Sequence, residues 1–291
     1  MSNIILIWTA YDKYHKALSA FRKIHLRSDG MSILQAVIYG IVQGITEFLP
    51  VSSTAHLMLI PWLFGWNDPG NTFDVALHFG TAFAVIAYFF QDWVRLVKAG
   101  IREPKTQDGK LFWYLVIATI PGAVAGVALD RYMSRLSNPL LIGFLLIGMG
   151  IVLYLCDTKG KRQVGLEEIG LRRSALIGVS QILAMVPGVS RSGITMSVGR
   201  AAGVKRESIA KFTFLLSTPI ILGDALFHAK NLVYVRIDVL PFVVAVVTAA
   251  LVGFVSIRFL LNYLKTKSFL VFTVYRLVLG ISVIILYGIR A

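Results

Sequence analysis

Two short stretches of this chain gather side chains that are costly to bury and useful in catalysis. The first runs Gln43-Gly-Ile-Thr-Glu47-Phe-Leu-Pro50-Val-Ser52-Ser53-Thr54-Ala55-His56, the second Pro187-Gly-Val-Ser190-Arg191-Ser192-Gly193-Ile-Thr195. Gln43 and Glu47 are four residues apart and share one helical face; Ser53 and His56, three apart beyond Pro50, can share another. A carboxylate, an imidazole and hydroxyls therefore converge in the first stretch. In the second, a cation, hydroxyls and glycine-containing backbone make a cradle for an anion. Helices restarting after Pro50 and Pro187 would add free N–H groups and the positive ends of their dipoles. Arg191 can fork two phosphate oxygens, as a lysine cannot.

That set of groups suits hydrolysis of a phosphoric anhydride. Arg191 and the N–H groups would stabilise charge on the transferring phosphoryl group, while Glu47 would hold a divalent cation or act as base. Ser53 or His56 would be the nucleophile, or His56 would activate Ser53 or protonate the leaving oxygen. Residue types alone do not rank these alternatives. Each group also has a plainer reading. Glu47 and Arg191 can be a buried structural ion pair, and Ser52, Ser53, Ser190, Ser192 and Thr195 can be helix caps.

The elements that carry these residues follow from composition. Of 291 residues 56% are apolar and only 15% are charged, where about 25% is usual in soluble domains, so neither an ordinary soluble globule nor a disordered chain is expected. A helix needs about 20 apolar residues to cross a hydrocarbon core about 30 Å thick. Six segments meet that length, near 72–90, 111–129, 139–156, 207–228, 238–260 and 268–288. The regions 33–65 and 174–199 are apolar but interrupted by the two polar stretches, so each reads as two half-helices around a break. Gly40, Gln43, Val51, Ser52 and Thr54 match Gly178, Gln181, Val189, Ser190 and Ser192 at a constant offset of 138 positions. The predicted fold is an all-α polytopic membrane protein of two inverted repeats, each one re-entrant helical hairpin plus three transmembrane helices. Repeat one covers about 32–156 and repeat two about 174–288, within a single membrane domain over 31–291. Irregular backbone at membrane depth must be enclosed by protein or line a cavity, so the two breaks should meet at one interior site.

The chain carries 29 Lys and Arg against 15 Asp and Glu, a net charge of +14. Under this topology 17 of the basic residues fall in loops on one side and 5 on the other. The positive-inside rule makes the basic side cytoplasmic and puts the first hairpin's mouth outside. The cluster Arg172, Arg173, Lys205 and Arg206 then reads as lipid headgroup contact, and no nucleic-acid partner is expected. Residues 1–30 add five positives to the wrong side and read as a surface helix or an upstream misassigned start. The single cysteine, Cys156, excludes an intramolecular disulfide and a thiolate zinc site. Asp74, His78 and Asp224 are ionisable groups inside apolar segments that interior hydrogen bonding explains, and they are left out of the site. Arg276 is expected to pair with a substrate phosphate or with Asp224.

The two polar stretches, in order and spacing, closely resemble the undecaprenyl pyrophosphate phosphatase family, also called the bacitracin resistance proteins, over about residues 32–288. The resemblance implies a bacterial inner-membrane enzyme that removes the terminal phosphate of undecaprenyl diphosphate, regenerating the monophosphate carrier lipid for envelope polymers. It further implies a site facing the outer side and dependence on Mg²⁺ or Ca²⁺. The family's Glu/Gln-x-x-x-Glu motif falls on Gln43 and Glu47, its serine and histidine on Ser53 and His56, and its second-motif arginine on Arg191. Ser52, Thr54, Ser190, Ser192, Gly193, Thr195 and Arg276 are the expected substrate contacts, and Glu47 the expected metal ligand. Gln43 leaves Glu47 as the only motif carboxylate, and Ala55 stands where the family usually has glycine. The partners expected are the lipid substrate, the bilayer and, in a homodimer, a second copy of the chain. The rival reading is a polyprenyl phosphate transporter or flippase, since inverted repeats with broken helices are also a transporter architecture. The other large class of membrane lipid phosphatases requires histidine six residues after the motif arginine, where this chain has Ser197.

Overall fold

A computed structural model describes residues 31–133, 136, 138–160, 163–232 and 238–290; the extension expected over 1–30 lies outside the described residues. All described regular structure is helical apart from one isolated bridge between Val164 and Val204. In chain order the helices are α1 (Ile33–Thr46), α2 (Ser53–Phe64), α3 (Asn71–Tyr88), α4 (Phe90–Arg102), α5 (Gln107–Met133), α6 (Pro139–Lys159), α7 (Leu171–Ser180), α8 (Arg191–Ala201), α9 (Arg206–Leu232), α10 (Val239–Tyr263) and α11 (Leu270–Arg290). Four of them, in α5, α6, α10 and α11, are long and apolar enough to cross a membrane, and α3 with α4 forms a fifth, bent candidate. The chain is a multi-pass membrane protein.

Local chemistry sets the starts and stops. Ser32 opens α1 with a reciprocal cap: its hydroxyl accepts from the Gln35 N–H at 3.1 Å, and its own N–H donates to Gln35 Oε1 at 2.9 Å. Asn138 caps α6, with Pro139 at the first helical position. The expected span over 72–90 continues instead through a 71° bend near Phe89 into α4, where the sequence reading placed a loop. Helix α4 is strongly two-faced. Phe90, Val94, Val97 and Ile101 form an exposed apolar stripe, Arg95, Lys98 and Arg102 are charged, and Asp92 takes Lys211 Nζ of α9 at 2.9 Å. That is the pattern of a helix lying in the membrane interface.

The segment expected to span over 207–228 is one continuous helix, α9, but it is not among those apolar enough to cross by composition. Lys211, Ser217, Thr218 and Asp224 dilute it. It is shielded by protein instead: α3, α5 and α8 pack on it, and Ile209, Phe212, Phe214, Leu215 and Leu216 are buried.

Packing between the halves is reciprocal. Helix α1 docks on α10 of the other half and α7 docks on α5, while α6 pairs with α11 and α3 with α9. Small residues allow the docking. A Cβ on Gly40 would lie 2.7 Å from the Ala245 carbonyl, and one on Gly178 2.5 Å from the Ala118 carbonyl. Close approach through small side chains is how helices associate in lipid, where apolar surface has no water to escape.

Candidate active site

Both breaks are built alike. Helix α1 ends at Thr46, the chain turns through Pro50, and α2 begins at Ser53 with Ser52 as its cap; in the second half α8 begins at Arg191 with Ser190 as its cap. Ser52 and Ser190 both have φ 77°, and they are the only non-glycine residues of positive φ among those described. The left-handed region costs an L-residue about 1–2 kcal/mol. Each serine earns its place through its hydroxyl: Ser52 Oγ accepts from the Ala55 N–H at 3.4 Å and Ser190 Oγ from the Gly193 N–H at 3.1 Å.

Glu47, nearly buried, is the hub. Its Oε2 accepts from Ser53 Oγ at 2.7 Å and from Gln43 Nε2 at 3.2 Å, so the two helical faces foreseen in the sequence meet at one carboxylate. Arg191 Nη1 stands 3.8 Å from Glu47 Oε1, too far for a hydrogen bond, and is itself buried without a hydrogen-bond partner. Gln43 Oε1 is likewise buried without a donor. A stranded donor thus faces one side of Glu47 and a stranded acceptor lies beside it. Buried polar groups left unpaired cost about 1–3 kcal/mol each, which makes them seats for a ligand.

The two breaks touch, as the sequence reading required. Ser192 Oγ donates to the Leu49 carbonyl at 3.0 Å and interacts with Ser190 Oγ at 3.1 Å. Thr195 Oγ1 donates to the Arg191 carbonyl at 2.7 Å and accepts from Thr213 Oγ1 at 3.1 Å. Arg276, fully buried, ties the tips together: Nη1 donates to the Pro50 carbonyl at 3.1 Å, Nη2 to Gly188 at 2.7 Å, and Nε to Leu146 at 3.2 Å. Each guanidinium nitrogen donates to a backbone carbonyl, so Arg276 is a clamp that sets the cradle's shape, with Pro50 the one carbonyl on Nη1. Gly193 lies against the clamp, where a Cβ would be 3.2 Å from Arg276 Nη1 and 3.1 Å from Ser190 Cβ. Thr54 does not join the cluster; its side chain is exposed.

The histidines are distinguished by their hydrogen bonds. His56 Nδ1 lies 2.7 Å from the Ser52 carbonyl, which can only accept, so Nδ1 carries a proton and Nε2 accepts from the Tyr275 hydroxyl at 2.6 Å. The Tyr275 ring stacks parallel to it, 5.7 Å between centroids. Tyr275 went unnoticed in the sequence, though it adjoins Arg276. His78, left out as an ordinary interior group, is brought to the site by packing of α3 on α1: its Nε2 is 3.6 Å from Glu47 Oε2. Its intramembrane position was the signal; only the packing shows which carboxylate it faces. Among the described residues no three His, Cys, Asp or Glu side chains gather as metal ligands, so Glu47 and His78 stand as a pair.

The basic cluster Arg172, Arg173, Lys205 and Arg206 is partly engaged within the protein. Arg206 Nε and Nη2 bind Asp157 at 2.7 and 2.8 Å, and Arg173 Nε donates to the Ala202 carbonyl at 3.1 Å, so these two are occupied within the protein. Fully buried Arg200 also holds Asp157, at 2.9 Å, and the Phe269 N–H donates to the same carboxylate.

Comparison with known proteins bears on this site. The sequence profile of the family described as "Bacitracin resistance protein BacA" matches residues 36–282. A protein named undecaprenyl-diphosphatase from Pelotomaculum thermopropionicum is 50% identical over 89% of this chain and 98% of its own length. Proteins of the same name from Moorella thermoacetica and Desulforudis audaxviator are 48% and 51% identical, each over 89% of this chain and 100% of their own length.

Proposed function

From the premise that the chain belongs to the bacitracin resistance protein family, we propose that it is an undecaprenyl-diphosphatase, cleaving undecaprenyl diphosphate to undecaprenyl phosphate and inorganic phosphate. The observation that carries this reading is the stranded donor of Arg191 beside the Glu47–Ser53 bond. A terminal phosphoryl group placed there receives Arg191 Nη1 and first-turn N–H groups of α2 and α8 beyond those the caps take, all of them preorganised for its charge. Ser53 Oγ attacks phosphorus as its proton passes to Glu47 Oε2, 2.7 Å away. The bond from phosphorus to the bridging oxygen breaks and the prenyl monophosphate leaves. Water then cleaves the phosphoserine, releasing phosphate and restoring Ser53. Of the alternatives open in the sequence, this geometry favours Ser53 with Glu47 as base, because both His56 nitrogens are engaged by Ser52 and Tyr275. Gln43, Ser52, Ser190, Ser192 and Thr195 shape the cradle.

A divalent cation fits these residues. Glu47 and the stranded Gln43 Oε1 are oxygen donors of the kind Mg²⁺ and Ca²⁺ take alongside substrate phosphates. When bound, the cation would neutralise diphosphate charge. The enzyme reads as a bacterial inner-membrane protein with inverted halves and an outward-facing site, recycling carrier lipid; the uneven distribution of basic residues supports that orientation. Phosphate release from a long-chain prenyl diphosphate in detergent, with divalent cation, with chelator and in Arg191→Ala, tests the reading. Release that needs the cation and is lost in the variant is expected. No release from a folded, lipid-binding protein would overturn it in favour of a transporter.

A further inference from the structure

Away from the two breaks, an apolar groove and a charged cleft share a wall. The groove, of about 780 Å³, runs between α4 and α9 and is lined by Phe90, Trp93, Val97 and Ile101 of the one and by Pro219 and Leu222 of the other. The cleft, of about 590 Å³, lies between α4, the start of α5 and the turn Leu166–Glu168. Lys98 and Arg102, one helical turn apart on α4, line both. Each volume falls in the range of about 300–1,000 Å³ found for small-molecule sites. Within the cleft Arg95 is taken, by Asp92 at 3.2 Å and by Asp108 at 3.5 Å. Among the described residues Lys98, Arg102, Glu103 and Glu167 have no ion-pair partner. Two unpaired cations therefore stand where groove and cleft join, and two unpaired carboxylates stand in the cleft alone.

We propose that groove and cleft together bind a membrane phospholipid whose headgroup carries a primary amine, with an acyl chain in the groove, the phosphate on Lys98 and Arg102, and the ammonium on Glu103 and Glu167. The lining follows the order of such a lipid. The apolar wall takes the chain, and Lys98 and Arg102 run their stems along that wall and carry their charge to its edge, where a phosphate follows the glycerol. The carboxylates beyond accept N–H bonds from the ammonium. A headgroup with negative charge alone would meet Glu103 and Glu167 as like charges, and a quaternary ammonium has no N–H to give them. The same repulsion argues against a prenyl diphosphate as occupant, so the site is separate from the one built on Glu47 and Arg191 and does not rest on the phosphatase reading. Helix α4, with its apolar stripe beside its charges, has the pattern of a helix at headgroup depth. One bound lipid would tie it to α9 through the chain and to the turn Leu166–Glu168 through the amine.

The test is lipid retention by the delipidated full-length protein in detergent, read by native mass spectrometry with phosphatidylethanolamine, phosphatidylglycerol and phosphatidylcholine of identical chains. Phosphatidylethanolamine is expected to be held about threefold or more tightly than the other two. Glu103→Gln with Glu167→Gln should abolish that preference, and Lys98→Ala with Arg102→Ala should weaken retention of phosphatidylethanolamine about threefold or more. Glycerophosphoethanolamine, which has the headgroup without chains, should not be retained. All four side chains are exposed, and thermal unfolding in detergent checks that the variants fold; if the paired glutamate variant does not, Glu103→Gln alone must reduce the preference. Equal affinity for the three lipids, or a preference that survives the glutamate variants, would overturn the proposal. Tighter binding of phosphatidylglycerol would overturn it in favour of a plain cationic patch, and displacement of the bound lipid by a prenyl monophosphate would give the groove to the substrate instead. Phosphate release, measured separately, reports on the phosphatase reading alone.

Discussion

At Ser52 and at Ser190 the chain makes the same turn, with the same positive φ, and restarts a helix under the same kind of serine cap. At the offset of 138, however, Glu47 corresponds to Met185, Ser53 to Arg191 and His56 to Ile194. The same turn is loaded differently: the first break holds Glu47 and Ser53, in the proposed mechanism base and nucleophile, and the second holds Arg191, in that mechanism the cation for the phosphate. Gln43 and Gln181 make the point at a single residue type. Both leave a buried Oε1 unpaired, but Gln43 Nε2 donates to the Glu47 carboxylate whereas Gln181 Nε2 donates to the Ala118 carbonyl at 2.9 Å. The second glutamine therefore serves helix docking, while the first lies against the carboxylate that the proposed mechanism uses.

The sharpest way to break this comparison is at the loaded positions. Arg191→Ala and Glu47→Gln should each lower kcat by about 10²–10³-fold or more in a phosphate-release assay while leaving thermal unfolding near that of wild type. Exchanging the charges, Glu47→Arg with Arg191→Glu, should restore nothing; recovery of activity would reduce the two residues to a structural pair. The far ends of α8 and α2 extend the contrast. Asp157→Ala removes the buried carboxylate shared by Arg200 and Arg206 and should cost about 3–5 kcal/mol in denaturant unfolding. Arg290, which binds the Trp62 carbonyl and stacks on the Trp62 ring at the other end, is exposed, and Arg290→Ala should cost no more than about 1 kcal/mol.

Smaller effects sharpen it further. Gln181→Ala should lower stability by about 1 kcal/mol with cation dependence unchanged, whereas Gln43→Ala should raise the cation concentration needed for half-maximal activity. Tyr275→Phe removes one hydrogen bond to His56 and should reduce kcat about 3–10-fold, measured by the same assay. Ser52→Gly and Ser190→Gly relieve positive φ but lose the cap, and each should change stability by less than about 1 kcal/mol.

Much of this was legible in the residues themselves. The length and apolarity of the segments that form α5, α6, α10 and α11 follow from the thickness of a bilayer, and Pro50 and Pro187 mark where helices had to stop. Glu47, Gln43, Ser53 and Arg191 were recognisable because polar groups inside apolar segments need a reason to be there. Other features depended on contacts between residues far apart in the chain. Helix α9 looked like another span, yet its polar side chains are tolerated because neighbouring helices enclose it. Arg276 shows its charge in the sequence but not its backbone partners, since Pro50 and Gly188 are 226 and 88 positions away.

The sequence by itself determined that the chain crosses a membrane repeatedly, that two polar breaks interrupt it, and which acid, hydroxyl and cation they offer, because these follow from local composition and helical periodicity. Only the tertiary structure decided that Ser53 rather than His56 adjoins Glu47, that Arg276 clamps the backbone of both breaks, and that His78 faces Glu47. Those outcomes depend on which nitrogen or oxygen finds a partner once α3, α10 and α11 pack against the breaks, and spacing along the chain does not encode that directly.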